Sequence, residues 1–195
     1  GASDGMNYLA AVEKASSKQS DSVGIVLSVK GKVIVISKTG KVKPAKTRMA
    51  LRNGDRIETK KHSYIQVNFI DGSTTRLGSN SDMTIQKYVF NEETGEAESK
   101  VKIDNGAMAF LAGKIAKVAP ENYKISTTTA TIGIRGSGGE IVTSDGSLTD
   151  VGTRVKTMEG HVLEVETDFG MFVVADPNIG LDVSGGGVEE IPVDP

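Results

Sequence analysis

The stretch Tyr123–Thr143, YKISTTTATIGIRGSGGEIVT, decides the fold class. Ile125, Thr127, Thr129 and Thr131 share one parity; Ser126, Thr128, Ala130 and Ile132 share the other. Such a density of β-branched side chains favours an extended chain. Gly133, Gly136, Gly138 and Gly139 follow, with Ile134, Arg135 and Ser137 between them. Glycines this close together mark positive φ or a close backbone approach. Glu140–Thr143 then resumes a strand, so the stretch reads as strand, glycine turn, strand. Arg135 is the one long cation among these small residues. If buried, it must be paired and fully hydrogen-bonded. The expectation is a structural arginine whose fork ties backbone carbonyls or a carboxylate together.

The same texture extends outward in both directions. Gly24–Val29 precedes Gly31 and the apolar run Val33–Ile36, which reads as a strand buried on both faces. Asn53-Gly54-Asp55 is a tight turn by its chemistry, and so are Asp71-Gly72 and the cluster Gly78–Asp82. Tyr64–Ile70 and Met83–Phe90 read as strands, and Asn91–Ser99 as an acidic exposed tip. Over Ala107–Val118, Ala107, Ala109 and Leu111 alternate with Met108 and Phe110, and Gly113 interrupts, which favours a strand over a helix. Short strands with a turn about every ten residues indicate an all-β domain. Val29–Val35 is echoed by Met158–Val165, so one β-unit opens and closes the domain. Met6–Lys18 is the best helical segment. The expected organisation is a helix and linker over 1–22, a β domain over 23–175, and a flexible tail or lead into a further module over 176–195. The tail reading rests on Gly185-Gly186-Gly187, Glu189-Glu190 and two prolines.

Composition narrows the function. Twenty-five acidic and twenty-three basic side chains nearly cancel over 195 residues. That balance argues against an electrostatic nucleic-acid or membrane binder. There is no Cys, hence no disulfide or thiolate metal site, and this composition permits export. No apolar run approaches the roughly 18 residues that span a bilayer. The Gly-Ala-Ser-Asp-Gly start reads as a processed or engineered terminus from which any targeting segment has gone.

The order of motifs then becomes informative. Gly24-x-Val26 and Gly31-x-Val33 come first, followed by Asn53-Gly54-Asp55-Arg56-Ile57-x-Thr59. Ser63-Tyr64-Ile65-x-Val67-x-Phe69-x-Asp71-Gly72-Ser73 and Leu77-x-Ser79 are next. Asn105-Gly106-Ala107 and Ala130-Thr131-Ile132-x-Ile134-Arg135-Gly136-Ser137 complete the series. Over roughly Val23–Gly170 this order resembles the FecR family domain, with Ser137 in place of the family's Thr. The resemblance implies a twisted, solenoid-like stack of short strands, with a β-sandwich as the alternative. It also implies a periplasmic or secreted, surface location in bacteria and a protein partner in the envelope. The family's best-known members relay a signal from an outer-membrane receptor to a sigma factor. They carry an anti-sigma segment and a transmembrane helix that are not found in this sequence.

No catalytic constellation competes with this reading. Asp71-Gly72-Ser73 reads as a hairpin turn rather than a metal or phosphate corner. Gly136-Ser137-Gly138-Gly139 lacks the Gly-x-Ser-x-Gly elbow, and no P-loop Lys follows. His62 and His161 lack ligand spacing. Asp145, Asp150 and Asp168 lack the spacing of a calcium loop. Thr127, Thr129 and Thr131 read as a half-exposed strand face. The expected motif residues are therefore Asn53, Gly54, Asp55, Asp71, Gly72, Ser73, Arg135, Gly136 and Ser137, in structural roles. The expected function is a non-catalytic, cofactor-free interaction or scaffold module acting through strand edges and loops. The alternatives are the periplasmic sensory domain of a transmembrane signalling protein and a carbohydrate-binding or hydrolase-like domain. A deep pocket converging on Arg135, His161 and carboxylates would favour the last.

Overall fold

The computed structural model describes residues 21–195, so the helix expected over Met6–Lys18 lies outside the described residues. Seventeen strands form one sheet built of two ladders. The first contains β1 (Ser22–Lys30), β4 (Ala50–Arg52), β6 (Tyr64–Phe69), β7 (Thr74–Leu77), β12 (Gly138–Ser144), β13 (Gly152–Thr157), β16 (Ile179–Ser184) and β17 (Gly187–Pro192). The second contains β2 (Val33–Ile36), β3 (Val42–Pro44), β5 (Arg56–Thr59), β8 (Asp82–Asn91), β10 (Tyr123–Ser126), β11 (Ala130–Ile134), β14 (Leu163–Thr167) and β15 (Gly170–Val174). The long strand β9 (Glu96–Leu111) belongs to both. One helix, α1 (Lys114–Val118), and a 3-10 turn at Pro120–Asn122 follow it.

Strand order follows chain order along each ladder, except that β4 lies outside β1 and β3 outside β2. The first runs β4-β1-β6-β7-β9-β12-β13-β16-β17. The second runs β3-β2-β5-β8-β9-β10-β11-β14-β15. All pairings are antiparallel except β9 with β10. The stack is thus solenoid-like in its progression, and it encloses a single core as a sandwich does. Period-2 alternation sets the inward face: Ile65, Val67 and Phe69 on β6 are buried, as are Val101 and Ile103 on β9 and Ile141 on β12. Aromatic rings bridge the ladders. Phe69 stacks on Tyr88 at 4.3 Å, and Phe110 lies 6.5 Å from Tyr123.

Asn105-Gly106 bends β9 from one ladder into the other. Asn105 pairs with Asp82 of β8, and Gly106 pairs with Thr143 of β12. Gly106 has φ +107°, and a Cβ there would overlap Ser81, so both conformation and space require glycine. The internal repeat is a structural unit. At both Gly31 (φ +74°) and Gly160 (φ +77°) the chain leaves the first ladder for the second.

Three expectations change. The run from Ile125 to Ile132 is two strands, because Thr127 Oγ1 accepts the Thr129 and Ala130 N–H groups at 3.2 and 3.0 Å and closes a turn. Ala107–Leu111 is strand as expected, but Lys114–Val118 is helical. Residues 179–192 form the β16–β17 hairpin in place of a tail. Leu181 and Val183 alternate into the core, Gly185 and Gly186 make the hairpin turn, and Gly187 opens β17 opposite Ser184.

Candidate functional site

Asp71-Gly72-Ser73 turns β6 into β7, with Gly72 at φ +87°. The corner is more than a turn. The Asp71 carboxylate is buried, and its oxygens accept four hydrogen bonds. Oδ1 takes the Ser73 N–H at 3.0 Å and the Tyr88 hydroxyl at 2.5 Å. Oδ2 takes the Ser73 hydroxyl at 2.8 Å and the Ile115 N–H at 3.1 Å. Ser73 Oγ in turn accepts the Gly113 N–H at 2.8 Å, and the Asp71 carbonyl accepts Lys114 N–H at 2.9 Å. One corner thereby fixes the β6–β7 hairpin, a tyrosine of β8 and the segment that opens α1. A buried carboxylate is tolerable only with donors of this kind. Burial, reinforced by the Asp71 charge, holds the Tyr88 phenol far above its ordinary range. Tyr123 is raised by the same two causes, with Ser73 opposing.

Asn53-Gly54-Asp55 also converges on Tyr88. Asn53 Oδ1 accepts the Tyr88 N–H at 2.5 Å, and Asn53 Nδ2 donates to the Tyr88 carbonyl at 3.2 Å. The side-chain amide thus serves as a strand partner just beyond the β8–β9 register shift between Ile85 and Lys87. Gly54 N–H donates to the Ile85 carbonyl at 2.7 Å. The Asp55 carboxylate accepts Arg52 N–H at 2.8 Å. Burial raises its pKa, and the Arg52 hydrogen bond and charge oppose the rise. Tyr88, which ties both corners together, was not singled out by the sequence reading.

Arg135-Gly136-Ser137 joins β11 to β12 and clasps the next corner. Ser137 N–H donates to His161 Nδ1 at 3.0 Å, and Ser137 Oγ lies 3.1 Å from both ring nitrogens. Nδ1 therefore carries no proton in this arrangement. A Cβ on Gly136 would sit 2.9 Å from Nδ1, so glycine lets the corners close. Arg135 does not have the buried environment considered for it. Its side chain is 71% exposed and its Nε pairs with the Glu164 carboxylate, while its backbone N–H donates to the Val162 carbonyl at 2.9 Å. The tie to a carboxylate is present, but on the surface, because Arg135 follows the buried Ile134 at the strand end and points outward.

Arg135, Ser137 and His161 do meet, at the rim of an open cleft beside Ala112, Ala116 and Lys117. Among the described residues no carboxylate is hydrogen-bonded to the His161 ring, and Glu164 faces Arg135. The set therefore lacks the base–orienter relation of a nucleophilic triad. Among the described residues, no group of three His, Asp or Glu side chains could share a metal ion. Thr127 is buried rather than half-exposed. Thr153 Oγ1 lies 2.7 Å from Thr127, 2.6 Å from Thr129 and 2.9 Å from Thr143, pinning the ladders together.

Among the described residues the stack leaves four edge strands. β3 and β4 have three residues each, with Lys43 and Pro44 in β3 and Arg52 in β4. β17 carries Glu189, Glu190 and Pro192. These are ordinary guards of sheet edges. β15, Gly-Met-Phe-Val-Val, has no charge and no proline, pairs among the described residues with β14 alone, and exposes Met171 and Val173 at 58% and 60%. Phe169 beside it is 50% exposed.

Two tests follow from these environments. Asp71→Ala leaves several buried donors unpaired and should cost at least about 3 kcal/mol in denaturant unfolding. Arg135→Ala removes an exposed pair and should cost less than about 1 kcal/mol. A reversed order contradicts the assignment. The buried phenols also set an alkaline limit. Folded-state values raised above the unfolded value of about 10 give stability that is complete below that pH and declines as pH rises above it. Of the four tyrosines, Tyr88 and Tyr123 should ionise only as the β-sheet circular dichroism signal is lost. Ionisation of all four near pH 10 in a folded chain contradicts their burial.

Comparison with known proteins bears on the whole arrangement. Two crystal structures of a "putative anti-sigma factor" from Parabacteroides distasonis, at 1.65 and 2.50 Å resolution, share the fold. Their TM-scores are 0.54 and 0.55 at 16% sequence identity, over 71% of this chain. The match spans 60% of the length of those chains. No curated protein sequence matches. The family model described as FecR protein matches residues 55–163, from the Asp55 corner, through those of Asp71 and Arg135, to the start of β14. The chain belongs to the FecR family.

Proposed function

We propose that this chain is a non-catalytic interaction module of the bacterial envelope that recognises a protein partner by strand addition at β15. The observation that carries the reading is the contrast among edges: three are short, charged or proline-bearing, and β15 is none of these. An extended partner segment gains main-chain hydrogen bonds there, and Met171, Val173 and Phe169 supply apolar contacts for its side chains. FecR family membership supports a regulatory setting and a periplasmic or surface location.

A second reading has its own support. Two solved chains with this fold are described as a "putative anti-sigma factor". In that setting the module is the sensory part of a transmembrane signalling protein, and the β15 partner is a component of the signalling path. Among the described residues, no helix is long and apolar enough to cross a membrane.

The test uses the folded protein as bait against a detergent-solubilised envelope fraction, beside Met171→Lys/Val173→Lys and Arg135→Ala. One species should be retained by the wild type and Arg135→Ala and lost by the double variant. Equal recovery by the double variant contradicts strand addition at β15. Recovery by none of the baits contradicts a protein partner.

A further inference from the structure

The near-neutral composition conceals a separation of charge along the stack. Residues 30–61 carry eleven Lys and Arg against two acidic side chains, and residues 140–195 carry twelve Asp and Glu against two basic ones. β3 and β4 close one end of the ladders and β15 and β17 the other, so these segments lie toward opposite ends of the molecule. At the basic end the loop 45–49 crosses from the second ladder to the first over the end of the core. Its Ala45 and Met49 pack against the core. Ala45 N–H donates to the Val33 carbonyl and Met49 O accepts from Val26, both at 2.9 Å. Lys43, Lys46 and Arg48 line a concavity on this cap, and the Lys38–Lys41 hairpin turn belongs to the same end.

Two features set this end apart. Basic residues elsewhere are frequently neutralised: Lys87 by Glu98, Lys102 by Asp104, Arg154 by Asp182 and Lys156 by Glu140. Lys38, Lys41, Lys43, Lys46 and Arg48 form no ion pair among the described residues. Arg48 also has φ +74°, an unfavourable conformation for a residue with a Cβ, and is held there by its N–H bond to the Val26 carbonyl at 2.7 Å.

We propose that this basic cap docks on an anionic phospholipid surface. Unpaired cations on one end of a chain whose net charge is −2 attract phosphate head groups and orient the molecule end-on, with its acidic end away. Val42, 57% exposed between Lys41 and Lys43, supplies an apolar contact at head-group level. A single-stranded nucleic acid is the poorer fit, because residues 30–61 contain no Phe, Tyr or Trp on which a base could stack. The proposal is independent of the β15 reading, since the two surfaces lie at opposite ends.

The test is co-sedimentation of the full chain with vesicles of phosphatidylcholine alone and of phosphatidylcholine mixed equally with phosphatidylglycerol, at low and high salt. Binding should require phosphatidylglycerol and weaken with salt. At about fivefold in partition coefficient per basic side chain near the surface, Lys43→Glu/Lys46→Glu should lose at least about twenty-fivefold. Lys100→Glu/Lys124→Glu makes the same charge change in the middle of the stack and should lose far less. Circular dichroism of both variants verifies folding. Equal binding to neutral vesicles, or equal losses in the two variants, overturns the proposal. So does sedimentation without vesicles, which reports head-to-tail association of copies, or full competition by equimolar soluble polyphosphate.

Discussion

The buried carboxylate of Asp71 is the constraint on which the rest of the architecture depends. Its oxygens hold the β6–β7 hairpin, the phenol of β8 and the backbone that opens α1. Burying an ion is very costly unless its donors are already in place, so the corner forms only when these segments arrive together. Tyr88 extends the tie, because Asn53 grips its backbone while Asp71 grips its hydroxyl. The aromatic stack with Phe69 closes the same region from the core side. The Asn-Gly-Asp and Asp-Gly-Ser motifs therefore act as one assembly on the opening half of the stack.

The remaining corners follow a related logic. Gly106 closes on Ser81, Gly136 on His161, and Thr153 gathers Thr127, Thr129 and Thr143. Each is a small residue that lets two chain reversals meet, stapled by a hydroxyl or imidazole. A short-stranded stack has many such reversals, each with backbone groups to satisfy. Serine, threonine and asparagine at these positions supply the partners, and among the described residues no buried side-chain nitrogen or oxygen lacks one.

Much of this was legible in the sequence, for identifiable reasons. Alternation and turn chemistry are local, so Tyr64–Phe69, Asp71-Gly72 and Asn53-Gly54 read correctly. The hub was not legible, because Tyr88 and Ile115 lie 17 and 44 residues from Asp71 and carry no local mark of the contact. The threonine run hid a turn, since Thr127 closes it through its own hydroxyl and glycine is not needed. The C-terminal hairpin was obscured by its glycines and prolines, although Leu181 and Val183 already alternated. Arg135 drew attention by its isolation among small residues, yet isolation in sequence does not determine burial. The separation of charge was not legible in the charge balance, because a total carries no information about where the charges fall.

The most direct test of the central role of Asp71 is native-state hydrogen exchange at the amides of Ser73, Gly113 and Ile115. These three report the hub, and only Ser73 and Ile115 bond to the carboxylate itself. If the hub is the tie that the fold depends on, all three exchange only through global unfolding, with the same free energy as core amides of β9. Exchange at Ile115 through a low-energy local opening, while β9 stays protected, would show that the α1 segment detaches freely and that Asp71 does not hold the stack together.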